Sequence, residues 1–187
     1  VFLVVWTGLA IAPRDRADWL LENMLTFVAV PALVAGWRRF RLSNRAYVAL
    51  TVFFVLHTIG SHWTYSEVPF GHWLRDTLGL ARNPYDRIVH FAFGLFLLRP
   101  ISELGFRPRR RPGPFGVYFF SVAGVALWSA GYEVLEWLVA RIVDPAAGTA
   151  FLGTQGDEWD AVKDMACALS GATIAAAVEW ATDRRRR

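Results

Sequence analysis

Apolar residues gather into stretches separated by short polar segments, and that alternation organises the whole chain. The stretches run Val1 to Ala12, Trp19 to Trp37, Ala46 to Trp63, Ile88 to Gly105, Phe115 to Val143 and Ala161 to Ala181. A helix needs roughly 20 mostly apolar residues to cross a bilayer. Five stretches approach that length; the first falls short of it, and Pro31 marks a kink in the second. The pattern predicts an all-α polytopic membrane helix bundle of about six transmembrane helices. No internal repeat and no soluble segment of domain size interrupts it, so a single integral membrane domain is expected.

The charges give this bundle a direction. Arg38, Arg39, Arg41 and Arg45 fall between the second and third stretches. Arg107, Arg109, Arg110 and Arg111 fall between the fourth and fifth, and Arg184 to Arg187 close the chain. In a six-pass protein all three sites lie on one side, and basic loops stay in the cytoplasm. Both termini are therefore expected to be cytoplasmic. The segments Pro13 to Asp18, Thr64 to Arg87 and Asp144 to Asp160 become outer loops.

Composition supports the membrane reading. Hydrophobic residues make up 55% of the 187-residue chain and aromatics 15%, more than a small soluble core hides. The net charge of +4 sits in short runs between apolar stretches, which argues for topology and against nucleic acid as a partner. Cys167 stands alone in an apolar stretch, so no intrachain disulfide or CxxC site is available. Val1 to Ala12 lacks a preceding charged region and a following cleavage site, so it does not read as a cleavable signal peptide.

Ionisable groups inside hydrocarbon are costly and usually pair, face the bundle interior or serve function. Several collect toward the outer end. Glu133 and Glu136 share a helix face at i,i+3, roughly 10 to 15 Å inside the end of the fifth stretch. Asp86 and His90 share a face at i,i+4, with Gly94 one turn deeper; Asp86 also suits an N-cap after Pro84. Asp157, Asp160 and Asp164 follow a helical stripe that Gly171 continues, and that glycine would admit a close neighbour. His57 lies within the third stretch and His62 near its edge, and only a bend at Gly60 would bring them together. Bundles build metal sites from carboxylates and histidines on facing helices. The ligand pool for a divalent metal ion is therefore His57, His62, Asp86, His90, Glu136, Asp157, Asp160 and Asp164. Glu133, Glu136, Arg82 and Arg87 are the candidate catalytic groups, the arginines as binders of a substrate phosphate or carboxylate.

The stretches HTIGSHWTYSEVPFG, ARNPYDRIVHFAFG, YEVLEW and FLGTQGDEWDAVKDMACALSGA resemble the YjdF-type family of bacterial inner-membrane proteins, from about Thr51 to Ala177. The opening Asp86-Arg87-x-x-His90-Phe91 is also similar to the VanZ-like membrane proteins, which carry lysine where this chain has Arg87. The resemblance implies a small multipass protein of the bacterial plasma membrane and brings no reaction with it.

Three functions compete on the residues. One is a metal-dependent hydrolase acting on a lipid or envelope substrate. A second is an ion-coupled transporter using Glu133 and Glu136, although no inverted repeat is visible. The third is a structural or partner subunit whose charges form a buried salt-bridge network. Membrane lipids are the expected surroundings, and a homo-oligomer is compatible with all three.

Overall fold

A computed structural model describes residues 1–106 and 113–184, and within them every regular element is an α-helix. The elements are α1 (Phe2–Leu9), α2 (Arg16–Glu22), α3 (Met24–Gly36), α4 (Asn44–His62), α5 (Pro69–Leu78), α6 (Tyr85–Gly105), α7 (Pro114–Ala140), α8 (Pro145–Leu152) and α9 (Asp160–Arg184).

The centre is the pair α6 and α9, which run side by side in the same direction. Their starts meet through Arg82, Asp86, Asp160 and Asp164, and their ends through Arg99 and Glu179. Glycine makes this approach possible. A Cβ on Gly94 would collide with the backbone at Ala168 and Ala172, and one on Gly171 with the backbone at Phe91 and Leu95. The two glycines therefore let the helix backbones touch, as small residues do between membrane helices. Leu98, Val125, Ala168, Ala172 and Ala175 fill the middle with apolar packing. Helix α7 lies against both α6 and α9, and α4 packs on the other side of α6.

The second stretch is a broken helix, α2 and α3 meeting at 41° around Asn23. Asp15 caps α2 by accepting from the Ala17 and Asp18 amides. The Asn23 side chain is fully buried and fixes the bend: it donates to the Trp19 carbonyl and to Ser61 Oγ, and accepts from Trp6. Two of the expected loops contain helix, α5 and α8. Both begin at proline and end at a left-handed glycine, Gly79 and Gly153.

Among the described residues, three helices are long and apolar enough to cross a membrane: α6, α7 and α9. The bent α2–α3 pair makes a fourth if it counts as one span. The stretch Ala46 to Trp63 forms a 19-residue helix, α4, but Arg45, His57, Thr58, Ser61 and His62 dilute its apolarity. The first stretch yields only eight helical residues. The arginines Arg107, Arg109 to Arg111 and Arg185 to Arg187, on which the orientation largely rested, lie outside the described residues.

Candidate functional site

The site forms where α6 and α9 begin. Asn83 holds the chain just before α6. Its amide donates to Gln155 Oε1 and its carbonyl accepts from Gln155 Nε2, at 2.9 and 3.1 Å. Its side chain donates to the Val68 carbonyl and accepts from the Tyr85 amide. This side chain packs where a Cβ on Gly71 would stand, which ties α5 to the same point. The Tyr85 hydroxyl donates to the Leu56 carbonyl and fixes α6 to α4. Gln155 has a positive φ of 50°, an uncommon setting for a side chain of that size, held by this reciprocal pairing.

Helix α6 then presents Asp86 and His90, and α9 presents Asp160 and Asp164. Asp86 is not the cap of α6: the helix starts a residue earlier, at Tyr85, behind Pro84, and Asp86 sits in its first turn. Ligand atoms of Asp86, His90 and Asp164 all lie within 4.8 Å of one another. His90 Nε2 is 3.6 Å from Asp86 Oδ1 and 3.7 Å from Glu133 Oε1, which α7 contributes. Glu133 Oε1 and Asp164 Oδ1 are buried and make no hydrogen bond among the described residues.

Cations surround these carboxylates on one side only. Arg82, 8% exposed, pairs with Asp160, approaches Asp86 at 3.6 Å and donates to the Gly153 and Thr154 carbonyls. Arg87 pairs with Asp157 and reaches Asp160 at 3.6 Å. Lys163 donates to both oxygens of Asp157, at 2.7 and 2.9 Å, rather than serving Asp164. Asp157 precedes α9 and joins this outer ion-pair chain. The Lys163 ammonium is the main cause holding its carboxyl down to about 2. The two arginines are thus engaged by carboxylates, while Glu133 and Asp164 lie beyond them.

The two histidines of α4 do not join the cluster. His57 Nε2 lies 3.1 Å from the Glu22 carbonyl, which only accepts, so that nitrogen carries the proton. Its Nδ1 then accepts from the Tyr65 hydroxyl at 2.5 Å, and neither nitrogen is left for a metal. Tyr65 gets there because Thr64 and Tyr65 turn through positive φ, folding its ring against Gly60. His62 instead donates through Nδ1 to the Leu9 carbonyl, tying α4 to α1. The bend at Gly60 that would have joined the pair is absent, since α4 runs unbroken to His62.

A cavity of about 250 Å³ adjoins the cluster. Asp86 and His90 reach it from α6, Tyr132 and Glu136 from α7, His57 from α4 and Glu22 from α2. Glu22 is 4% exposed and accepts from the Tyr132 hydroxyl at 3.3 Å. Sequence reasoning missed Glu22 and Tyr132. The available signal was the spacing of Asp18 and Glu22, two acids at i,i+4 where an apolar run begins.

A bundle of apolar helices with a surplus of carboxylates at one end is a helical membrane protein with a charged interior site. The chain belongs to the family described as "Predicted membrane protein (DUF2238)", which matches residues 1–185. It is 38% identical over 174 residues to the Inner membrane protein YjdF of Escherichia coli (strain K12), covering 91% of this chain and 80% of that protein. This kinship and the apolar helices make it a protein of the bacterial inner membrane. No solved structure matches it.

Proposed function

We propose that the chain is a six-pass protein with both termini in the cytoplasm. Its Asp86, His90 and Asp164 hold a divalent metal ion at the outer end, for hydrolysis of a lipid or envelope substrate. The convergence of three ligand atoms within 4.8 Å, one imidazole and two carboxylates from facing helices, carries this reading. The buried Asp164 and Glu133 oxygens that accept no hydrogen bond among the described residues add to it, because a buried polar atom left without one is costly. An ion held there would supply Lewis acidity toward water and a scissile ester or phosphoester. Glu133, beside His90, stands where a general base is needed. Arg82 and Arg87 position the carboxylates rather than a substrate anion.

Six passes follow if α1 and α4 also span. Helix α4 packs between α1 and α6, where its polar side chains find partners inside the protein instead of in lipid. The apolar packing around Leu98 and Val125, between the two polar ends of α6 and α9, favours an enzyme over a carrier with a continuous polar path.

The test is elemental analysis of the detergent-purified protein beside His90→Ala, Asp164→Asn and His62→Ala. About one equivalent of metal in the wild type and in His62→Ala, lost from the other two while they remain folded, is the expected result. A metal-free wild type prepared without chelators would overturn the metal assignment. A carboxyl-terminal tag reached from outside the cell would overturn the topology.

A further inference from the structure

The cavity beside the cluster has walls with a chemistry of their own. Phe53, Phe93, Trp128 and Phe151 make it largely apolar and aromatic. Its charged side chains among the described residues are all acidic; no lysine or arginine lines it. Asp86 belongs to the cluster just described, but Glu22 and Glu136 do not. They come from different helices, α2 and α7, and Tyr132, one turn before Glu136 on the same face, donates to Glu22. A second observation points to a ligand. Ser129 lines the cavity and is 2% exposed, and its hydroxyl has no hydrogen-bond partner among the described residues.

The cavity also reaches the lipid-facing surface. Trp128 and Leu135 line it and are themselves 63% and 42% exposed, on a helix apolar enough to span the bilayer. Whatever enters past them comes from the hydrocarbon. At about 250 Å³ the space is smaller than the roughly 300–1,000 Å³ that encloses a drug-sized molecule. It suits a headgroup and the first part of a chain whose remainder stays in the bilayer.

We propose that this cavity binds a cationic amphiphile, a protonated amine or quaternary ammonium joined to an apolar chain, entering sideways past Trp128 and Leu135. Carboxylates from two walls attract the cation, aromatic faces add cation–π attraction in a dry setting, and Ser129 offers a hydroxyl to the headgroup. An anionic head of the same size would meet the carboxyl groups of Glu22, Asp86 and Glu136 and, among the described residues, no lysine or arginine. The proposal uses Glu22, Glu136 and Ser129 and does not rest on a metal at Asp86, His90 and Asp164.

The experiment is equilibrium binding of tritiated cetyltrimethylammonium to the full chain in phosphatidylglycerol nanodiscs, with protein-free discs subtracted and cetyl phosphate as the anionic match. Saturable binding of the cation alone is expected, weakened at least about tenfold by Glu22→Gln or Glu136→Gln and retained in Glu22→Asp. Trp128→Ala, on the exposed rim, should weaken it without disturbing the fold, and it decides the matter if the glutamine variants fail to fold. Equal binding of the cation and the anion, or unchanged affinity in folded Glu136→Gln and Trp128→Ala, would overturn the proposal. Asp164→Asn separates the two readings, since Asp164 belongs to the metal cluster and does not line the cavity: it should lose metal and keep the probe. Lipid retained by protein extracted from cells identifies the source. Enrichment of a lipid whose amine head carries a net positive charge makes the ligand a membrane lipid; probe binding without enrichment makes it an amphiphile from elsewhere.

Discussion

Helices α6 and α9 carry a polar cluster at each end, and the two are built on different rules. At the far end Arg99 lies between Glu103 and Glu179, at 2.9 and 3.1 Å. Both oxygens of Glu103 also accept from Ser43, one from its amide and one from its hydroxyl, and Tyr118 donates to Asp183. Donors there are spread over the acceptors, and this cluster also fixes the start of α4. At the near end Arg82 and Arg87 satisfy Asp157 and Asp160, yet Glu133 and Asp164 keep buried oxygens that accept no hydrogen bond among the described residues. A cluster whose purpose is to join helices closes on itself. One that leaves acceptors over fits the binding site proposed above better than a clasp.

The sharpest way to break this contrast is Arg82→Ala. Arg82 is the most buried cation of the site, and its loss leaves Asp160 and Asp86 without their main partner. Removing one member of a buried ion pair costs about 3–5 kcal/mol. We expect a loss of that size in thermal or denaturant unfolding of the purified protein, largely restored by adding Asp160→Asn, which removes the stranded charge. At the closed end Arg99→Ala should cost less, about 1–2 kcal/mol, because Arg99 is about one-third exposed and solvent screens its pairs. Equal losses at the two sites would mean that the near end is merely another structural clasp.

Asp164→Asn probes the surplus itself. Asp164 is 2% exposed, and one of its oxygens is unsatisfied. With a chelator present, we expect replacing this carboxylate by a neutral amide to leave stability within about 1 kcal/mol of wild type or to raise it, as removal of buried functional charge commonly does. A fall as large as that of Arg82→Ala would show that Asp164 supports the fold, and the comparison between the two ends would fail.

Much of this architecture was legible because α6 and α9 are regular. The i,i+4 spacing of Asp86, His90 and Gly94, and the stripe Asp160, Asp164, Gly171, translate directly into one face of each helix. What could not be read depends on breaks in regularity. Glu22 reaches the cavity from the end of α2, just before the 41° turn that a buried asparagine stabilises. His57 leaves the ligand pool only because Thr64 and Tyr65 adopt left-handed backbone, returning a hydroxyl to it from eight residues away. No period in the sequence announces either event. Three or four spans rather than six are evident from length and apolarity for a related reason: α4 buries polar side chains against its neighbours, so its composition understates how well the protein shelters it.

Asp157 offers the smallest and most selective test, because it joins the near cluster from outside the spanning helices. Its carboxyl titrates near 2 in the folded protein, below its ordinary 3.8, chiefly through the hydrogen bonds from Lys163, with Arg87 and the Trp159 amide contributing. A group depressed by folding stabilises the fold at pH above its ordinary value, and that contribution fades as pH falls through the folded value. Between about pH 4 and pH 2 the protonated side chain releases Lys163 and Arg87, and the segment from Gly153 to Trp159 should loosen while α9 stays helical. Amide hydrogen exchange over that segment, followed from pH 5 downward after correction for the intrinsic rate, should show protection falling in this window. Asp157→Asn should show the lowered protection already at pH 5. Protection that is flat with pH in the wild type would mean that the pair with Lys163 does not order this turn, leaving the Gln155–Asn83 pairing and the Arg82 contacts to hold the start of α9.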